Sequence, residues 1–273
     1  MHFIIFFKLF LDDVKFMGIL DDHLIQVSLF ISAVVFMLAS ILVPKKLKEK
    51  GILSKFQARK LIHSLGGLTI LFGPFLSFWY LIPGVILFIV MTTLIYYSSP
   101  NSSVKIFRDI FYAVSDSEED QVNYLKGPFT YNLTITLLFG IFLFMRDHFY
   151  FPITGVLIMM YSDTAASIIG RRYGNRRIFP TSEKNKRTYI GSLTFFIVSL
   201  ICGFAIYYLF GTQLSDVTAQ APISFRQVVI YTMITAISAT LVEMISPSNY
   251  DDLIVPTASV VVVAGFSVML GFW

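Results

Sequence analysis

The residues best suited to chemistry in this chain are a few ionisable side chains that lie within or beside long apolar stretches. Asp163 and Glu243 each interrupt an apolar stretch, and another stretch opens with Arg59, Lys60 and His63. A charged side chain is energetically expensive in apolar surroundings and is retained there mainly for function. These five residues are therefore the first candidates for a site.

Around Asp163 the sequence reads SDTAASIIGRRYG, over residues 162–174. On a helix, the small residues at every fourth position form a stripe suited to close packing, and the aspartate lies on the neighbouring stripe. A carboxylate can hold Mg²⁺, whereas arginines and exposed glycine amides can bind phosphate. The segment therefore predicts a metal–phosphate site. Its candidate residues are Asp163, Gly170, Arg171, Arg172 and Gly174.

A basic loop follows this segment. Residues 171–190 contain seven of the chain's 21 lysines and arginines and lead into another apolar stretch. Such charge can also be interpreted as a patch that contacts anionic lipid. The end of the loop favours phosphate binding, because a glycine and a hydroxyl at a helix start present free amides to an anion. The candidate phosphate ligands here are Lys186, Arg187, Thr188, Gly191 and Ser192.

The composition indicates where these candidates must operate. Of the 273 residues, 56% are hydrophobic and 14% are charged, and the mean hydropathy is +0.73. A soluble domain carries about 25% charged residues, so this chain could not cover itself with a water-facing surface. The sequence predicts an all-α, polytopic membrane protein. It excludes soluble enzymes, nucleic-acid-binding proteins and disulfide-stapled secreted domains.

Eight transmembrane helices are predicted, because a spanning helix needs about 20 apolar residues. The predicted spans are residues 24–43, 61–80, 81–97, 128–145, 149–170, 191–210, 227–246 and 253–272. The pair Pro83-Gly84 is expected to break the continuous apolar block between the second and third spans. The whole chain, 1–273, is expected to form one domain, with residues 1–23 as an interfacial segment.

The basic residues predict the orientation of these helices. With the amino terminus outside, 17 of the 21 lysines and arginines fall in inner loops, as the positive-inside rule requires. Segments 98–127 and 171–190 are then cytoplasmic loops. The acidic candidates near the inner helix ends are Asp163, Glu243, Asp251 and Asp252. The candidate site is therefore expected on the cytoplasmic side of the membrane.

Three motifs, in this order along the chain, resemble those of the CTP-dependent lipid alcohol kinases, the family of dolichol kinase, phytol kinase and yeast-type diacylglycerol kinase. Residues 59–64, RKLIHS, resemble the opening R-K-x-x-H-x of that family. Residues 162–192 are similar to its pattern G-D-x-x-A-x-x-x-G-R-x-x-G, then a basic loop, then K-[ST]-x-x-G-[ST]. Glu243 and residues 251–256, DDLIVP, resemble its close, E…D-[DN]-x-x-[VI]-P. The resemblance thus covers residues 59–256.

The resemblance implies transfer of the γ-phosphate of CTP, with Mg²⁺, to the hydroxyl of a long-chain lipid alcohol. The acceptor would be a polyprenol or dolichol, a phytol-like isoprenoid alcohol, or diacylglycerol, and CTP is expected in preference to ATP. The catalytic acids would be Asp163, Glu243 and Asp252, joined by Asp251 in binding the metal ion. The nucleotide would be held by Arg59, Lys60, His63, Gly170, Arg171, Arg172, Gly174, Lys186, Arg187, Thr188, Gly191 and Ser192. The partners are then a nucleotide, a lipid alcohol and the bilayer, with no nucleic acid.

The chain departs from the family pattern in ways that leave alternatives open. Ser162 stands where the family usually has glycine, and Arg187 stands where it usually has lysine. Ile190 stands where Glu or Ala is common, and an apolar residue at this position favours the phytol kinase branch. One alternative is a CDP-lipid synthase of the CTP:phosphatidate cytidylyltransferase type, although its K-R-x-x-K-D and P-G-H-G-G motifs are missing from this sequence. The other is a non-catalytic transporter of an anionic lipid or nucleotide. The acids set among the basic residues favour an enzyme.

Overall fold

Helices make up the regular structure of this chain. The computed structural model describes residues 23–99, 101–105, 107–108, 126–179, 187–247 and 250–272. Within these residues there is no β-strand, and one isolated bridge pairs Arg177 with Thr188. The predicted all-α class is therefore confirmed. The predicted interfacial segment 1–23 lies outside the described residues except for its last residue, as does most of the predicted loop 98–127.

Ten α-helices are described within these ranges. They are α1 (His23–Glu49), α2 (Lys55–Gly66), α3 (Phe78–Tyr97), α4 (Lys126–Phe142), α5 (Tyr150–Leu157), α6 (Asp163–Tyr173), α7 (Tyr189–Tyr208), α8 (Ser215–Thr218), α9 (Phe225–Ile245) and α10 (Asp251–Met269). A 3₁₀-helix, Gly67–Phe75, continues α2, and a short one covers Arg146–His148. A π-helical segment, Ile158–Ser162, joins α5 to α6, and a second, Leu209–Gln213, extends α7.

In the described residues, six helices are long and apolar enough to cross a membrane. They are α1, α3, α9, α10 and the two continuous helices Tyr150–Tyr173 and Tyr189–Gln213. Many of their large apolar side chains are exposed, as a lipid-facing surface requires. The polytopic membrane architecture is therefore confirmed. Two of the eight predicted spans do not meet these criteria of length and continuity: residues 61–80 form a broken helix, and α4 has a shorter apolar part, Pro128–Phe142.

The break in the broken helix lies at residues 76–77, whereas the sequence predicted it at Pro83-Gly84, which lies inside α3. The side chain of Gln26, from α1, bridges the break. Its amide Nε2 donates to the carbonyl oxygen of Phe75 at 3.1 Å, and its Oε1 accepts from the backbone amide of Ser77 at 2.8 Å. Backbone groups freed within a membrane protein must find such internal partners. The partner here lies about 50 residues away in sequence, so local turn residues could not reveal the position.

The bundle has two ends that carry polar contacts. At one end Lys60 of α2 reaches Asp163 of α6. At the other end His23 Nδ1 lies 2.6 Å from the hydroxyl of Tyr80, and Arg146 donates to the carbonyl oxygen at the helix break, at 2.7 Å. We call these the site end and the opposite end. The second predicted span therefore runs between the two ends even though its helix is broken.

The helix that leads to Asp163 is the most buried element. Every residue of α5 is buried, and α7, α10, α4 and the 3₁₀-helix Gly67–Phe75 pack around it. Its contact with α10 depends on Gly155, where a Cβ atom would lie 2.6 Å from Val260 Cγ2. Two buried tyrosines of the surrounding helices have polar partners, since the hydroxyls of Tyr207 and Tyr231 bond to those of Thr235 and Ser267. This buried core holds in place the helix that leads to Asp163.

Candidate active site

Asp163 is the first residue of α6 and directly follows the π-helical segment Ile158–Ser162. A π-helical turn is wider than an α-helical turn and occurs often at functional sites. The segment is anchored by Ser199 of α7, whose hydroxyl donates to that of Ser162 at 3.0 Å, with both side chains fully buried. The Asp163 side chain keeps about a third of its surface exposed (35%). The carboxylate thus stands on a rigid, buried support and still reaches solvent.

Lys60 is the cation that faces Asp163. Its Nζ donates to Asp163 Oδ2 at 2.7 Å and links residues 103 positions apart. The start of α2 is fixed by a capping box, in which Ser54 and Gln57 exchange hydrogen bonds. From the sequence, Lys60 is predicted to bind the nucleotide and Asp163 to act as a catalytic acid and metal ligand, and the structure brings the two side chains into contact.

His63 follows Lys60 by one turn of α2 and packs against α4. Its ring centroid lies 4.4 Å from that of Tyr131, and the Tyr131 hydroxyl donates to the His63 carbonyl oxygen at 3.1 Å. These contacts hold the α2 wall of the site against α4. The backbone of Arg59 lies within α2, but its side chain is outside what the structure describes.

Glu243, in the last turn of α9, is bound from two sides by residues at the start of α7. Arg187 donates through Nε to Glu243 Oε1, and the hydroxyl of Ser192 donates to Oε2 at 3.0 Å. Both partners are mostly buried, with 11% of the arginine side chain and 10% of the glutamate side chain exposed. The ion pair therefore satisfies a carboxylate that would otherwise be very costly to bury.

Arg187 also contacts the turn between α9 and α10. Its Nη1 donates to the carbonyl oxygen of Ser246, and its Nη2 lies 3.2 Å both from Ser246 Oγ and from Asp251 Oδ2. From the sequence, Arg187 and Ser192 are predicted to bind phosphate. In the structure both side chains are directed at protein groups instead, so phosphate binding by them stays a prediction.

One small cleft at the site end brings the predicted acids together. It is lined by Met159, Asp163, Phe195, Glu243, Asp251, Asp252 and Val255. The two aspartates of α10 lie in its first turn, where Asp252 N donates to Asp251 Oδ1 at 3.0 Å. Thr134 of α4 lies 2.8 Å from the carbonyl oxygen of Asp252 and ties α10 to α4. Acids from three helices, separated by up to 89 residues in sequence, thus face one space.

The donor set of this cleft fits a divalent cation in its chemistry. Carboxylate oxygens are the hard ligands that Mg²⁺ prefers, and closely placed carboxylates repel one another unless a cation neutralises them. In the described residues, no three His, Cys, Asp or Glu side chains already surround a common point. Two of the four acids are turned toward Arg187, and one is turned toward Lys60.

The glycines of the predicted phosphate cradle lie where α6 crosses the start of α7. A Cβ atom on Gly170 would lie 3.1 Å from Thr188 Oγ1, and one on Gly174 would lie 2.3 Å from the carbonyl oxygen of Gly170. Thr188 is the N-cap of α7, and its hydroxyl accepts from the backbone amide of Gly191 at 3.1 Å. These glycines therefore permit close packing, and the cap gives the Gly191 amide a protein partner.

The remaining basic candidates lie outside the cleft lining. Arg171 and Arg172 are in the last turn of α6 and are exposed, and the Arg172 guanidinium lies 5.3 Å from the ring centroid of Tyr173. Lys186 falls outside the described residues. The described residues on either side of Lys186 are joined by a short backbone pairing, in which the Ile178 amide donates to the Arg187 carbonyl oxygen at 3.0 Å.

Several contacts that shape the site were missed by the sequence analysis. They involve Tyr131, Thr134, Ser199 and Ser246, and the π-helical turn before Asp163. Each is a common polar residue whose role depends on a partner from another helix. The spacing of Tyr131 and Thr134, three positions apart in α4, is the one local pattern that marks a shared helix face.

Comparisons with known proteins agree with part of the resemblance drawn from the motifs. No family model matches the chain, and no solved structure matches it. A protein of Glycine max named "Probable phytol kinase 2, chloroplastic" is 25% identical over 221 residues, which cover 80% of this chain and 68% of that protein. "Probable phytol kinase, chloroplastic" of Zea mays is 26% identical over 231 residues, 80% of this chain and 69% of the relative. Over four fifths of its length, the chain is therefore similar to plant proteins named as probable phytol kinases.

Proposed function

We propose that this protein is a membrane lipid kinase that transfers the γ-phosphate of CTP to the hydroxyl of a phytol-like isoprenoid alcohol. The observation that carries the proposal is the acidic cleft at one end of an apolar helix bundle, bounded by Lys60 and Arg187. The similarity to proteins named as probable phytol kinases supports a kinase that acts on a lipid alcohol. Dolichol, other polyprenols and diacylglycerol are the competing acceptors.

Phosphoryl transfer depends mainly on positioning and on neutralising charge, because the protein has little covalent chemistry to perform. The cleft lies where the apolar bundle meets its polar end, so an alcohol head group would enter it while the tail stays among apolar side chains. Asp163 is the acid best placed to orient the hydroxyl and accept its proton, since its carboxylate is partly exposed and its support is rigid. Lys60 would stabilise negative charge beside it.

Mg²⁺ is part of this proposal. Asp163, Asp251 and Asp252 would hold it, and the ion would supply charge neutralisation for the nucleotide phosphates. Glu243 would act less directly, because Arg187 and Ser192 already bind its two oxygens. The exposed Arg171 and Arg172, and Lys186 in the adjoining loop, would draw the triphosphate to the site end.

The test is phosphate transfer by the purified protein in lipid nanodiscs, with phytol, farnesol, dolichol and diacylglycerol as acceptors. With γ-labelled CTP and Mg²⁺, label should enter a lipid monophosphate, and CDP should be released. ATP in place of CTP should give less product. α-Labelled CTP separates the alternatives, because label in the lipid together with released pyrophosphate would identify a CDP-lipid synthase. Movement of nucleotide or lipid across vesicles without any new bond would identify a transporter.

Asp163→Asn is the matched variant for this assay. The amide keeps the volume of the carboxylate and removes its charge, so turnover should fall by about a hundredfold or more. Insertion should be unchanged, because the ion pair with Lys60 is partly exposed and contributes little stability. Asp147→Asn, at the opposite end, is the control and should keep wild-type turnover. Full activity of Asp163→Asn would remove the central residue of the proposal.

A further inference from the structure

Arg187 joins three elements at the site end. It stands immediately before the N-cap of α7, and its guanidinium contacts Glu243 at the end of α9, Ser246 in the following turn and Asp251 at the start of α10. Ser192, five residues later, holds the other oxygen of Glu243. The start of α7 is thus fastened to the turn that presents the two aspartates of α10.

The same contacts leave the guanidinium poorly placed to bind a nucleotide. All three of its nitrogens already donate to protein oxygens, and 11% of the side chain is exposed. Moving it to a phosphate would leave Glu243 buried without its cation, which is strongly unfavourable. Lys60 differs in this respect, because its compact ammonium sits on a flexible stem beside a partly exposed aspartate.

We propose that Arg187 is a positioning residue, which holds the turn between α9 and α10 so that Asp251 and Asp252 face Asp163. This inference rests on the proposed kinase function and changes the role of one residue within it. A planar guanidinium suits this role, because its N–H groups point in fixed directions. It can therefore donate to two carboxylates and a backbone carbonyl at the same time. The single ammonium of a lysine could not make all of these contacts with Glu243, Ser246 and Asp251 at the same time.

The first measurement is the kinetics of Arg187→Lys and Arg187→Gln with CTP and the best lipid acceptor. A positioning role predicts that kcat falls by about tenfold or more in both variants while the KM for CTP stays within about twofold. Arg226→Gln removes one positive charge, as Arg187→Gln does, but at an exposed position at the opposite end. Its kcat and KM should match those of the wild type. A raised KM for CTP with kcat retained would identify Arg187 as a nucleotide ligand and overturn the proposal.

The second measurement does not depend on activity. With Cys202 replaced by serine, Val255→Cys places one thiol on a buried position of α10 that lines the cleft, where 3% of the valine is exposed. A water-soluble maleimide should label this thiol slowly, and several-fold faster once Arg187→Gln is added, whereas Arg226→Gln should leave the rate unchanged. Equal labelling rates in the presence and absence of Arg187 would also overturn the proposal.

Ser246→Ala covers the case in which the arginine variants fail to insert. It removes one contact of the guanidinium and keeps every charge, so kcat should fall by a few-fold and the labelling of Val255→Cys should rise. Wild-type values for both would contradict the positioning role. Absence of kinase activity in the wild-type protein would refute the proposed function instead, and the labelling rates would still report whether Arg187 holds the turn.

Discussion

At the residue scale, the site is organised by two ion pairs of different kinds. Lys60 and Asp163 form a partly exposed pair with one short hydrogen bond. Arg187 and Glu243 form a buried pair with additional contacts on both partners. The residue types were visible in the sequence, since charges within apolar stretches are rare. Which charge meets which could not be predicted, because the partners are 103 and 56 positions apart.

This difference predicts that neutralising two acids of the same cleft has different consequences, one for stability and the other for the Mg²⁺ requirement. Glu243→Gln should lower the free energy of unfolding by about 3 kcal/mol, because it leaves the buried guanidinium of Arg187 without its main counter-charge. Asp252→Asn should lower stability less than Glu243→Gln does, because it keeps the backbone contacts of Asp252 with Asp251 and Thr134 that fix the start of α10.

Unfolding in detergent and the Mg²⁺ dependence of turnover, measured on both variants, distinguish these effects. Asp252→Asn should raise the Mg²⁺ concentration for half-maximal turnover by about tenfold, as expected for the loss of one charged ligand oxygen. A Glu243→Gln protein of unchanged stability with an altered Mg²⁺ requirement would contradict this prediction. It would show that Glu243 binds the ion and that its ion pair with Arg187 is not needed for stability.

At the element scale, hydropathy predicted most helices closely and failed where the backbone departs from an α-helix. The seventh predicted span, 227–246, corresponds to α9, Phe225–Ile245. The broken second span and the π-helical turn before Asp163 were not predicted. Both irregularities are stabilised by side chains of other helices, Gln26 and Ser199, so no local pattern encodes them.

Close packing of α6 on the start of α7 predicts the effect of adding one methyl group. Gly174→Ala should destabilise the protein by about 1–3 kcal/mol, because the new Cβ would lie 2.3 Å from the Gly170 carbonyl oxygen and 2.4 Å from Thr188 Oγ1. Gly140→Ala is the control, since no atom beyond the neighbouring backbone of α4 lies within 4 Å of its Cβ position. Unfolding in detergent measures both, and equal stability of the two variants would contradict the packing role of Gly174.

At the scale of the whole molecule, many of the basic residues and the acidic cleft are found at the same end of the bundle. The basic residues in the last turn of α1 and those in the last turn of α6 lie on the side of Lys60 and Asp163. Arg146 and Arg226 lie at the opposite end. Composition was sufficient to predict a membrane protein, and the order of motifs was sufficient to predict that Asp163, Glu243, Asp251 and Asp252 lie close together. The contacts among these residues could not be predicted in the same way, because they depend on how the helices pack.

This distribution predicts the sidedness of the protein in its membrane. Because basic residues are retained on the cytoplasmic side, the site end should face the cytoplasm. In a Cys202→Ser background, Asn175→Cys lies on an exposed position just beyond α6, and Arg226→Cys lies on an exposed position at the opposite end. An impermeant maleimide should modify Asn175→Cys only from the cytoplasmic side and Arg226→Cys only from the other. Modification of Asn175→Cys from outside would place the cleft beyond the reach of cytosolic CTP, and the proposed donor would have to be abandoned even if the acids are the right ones.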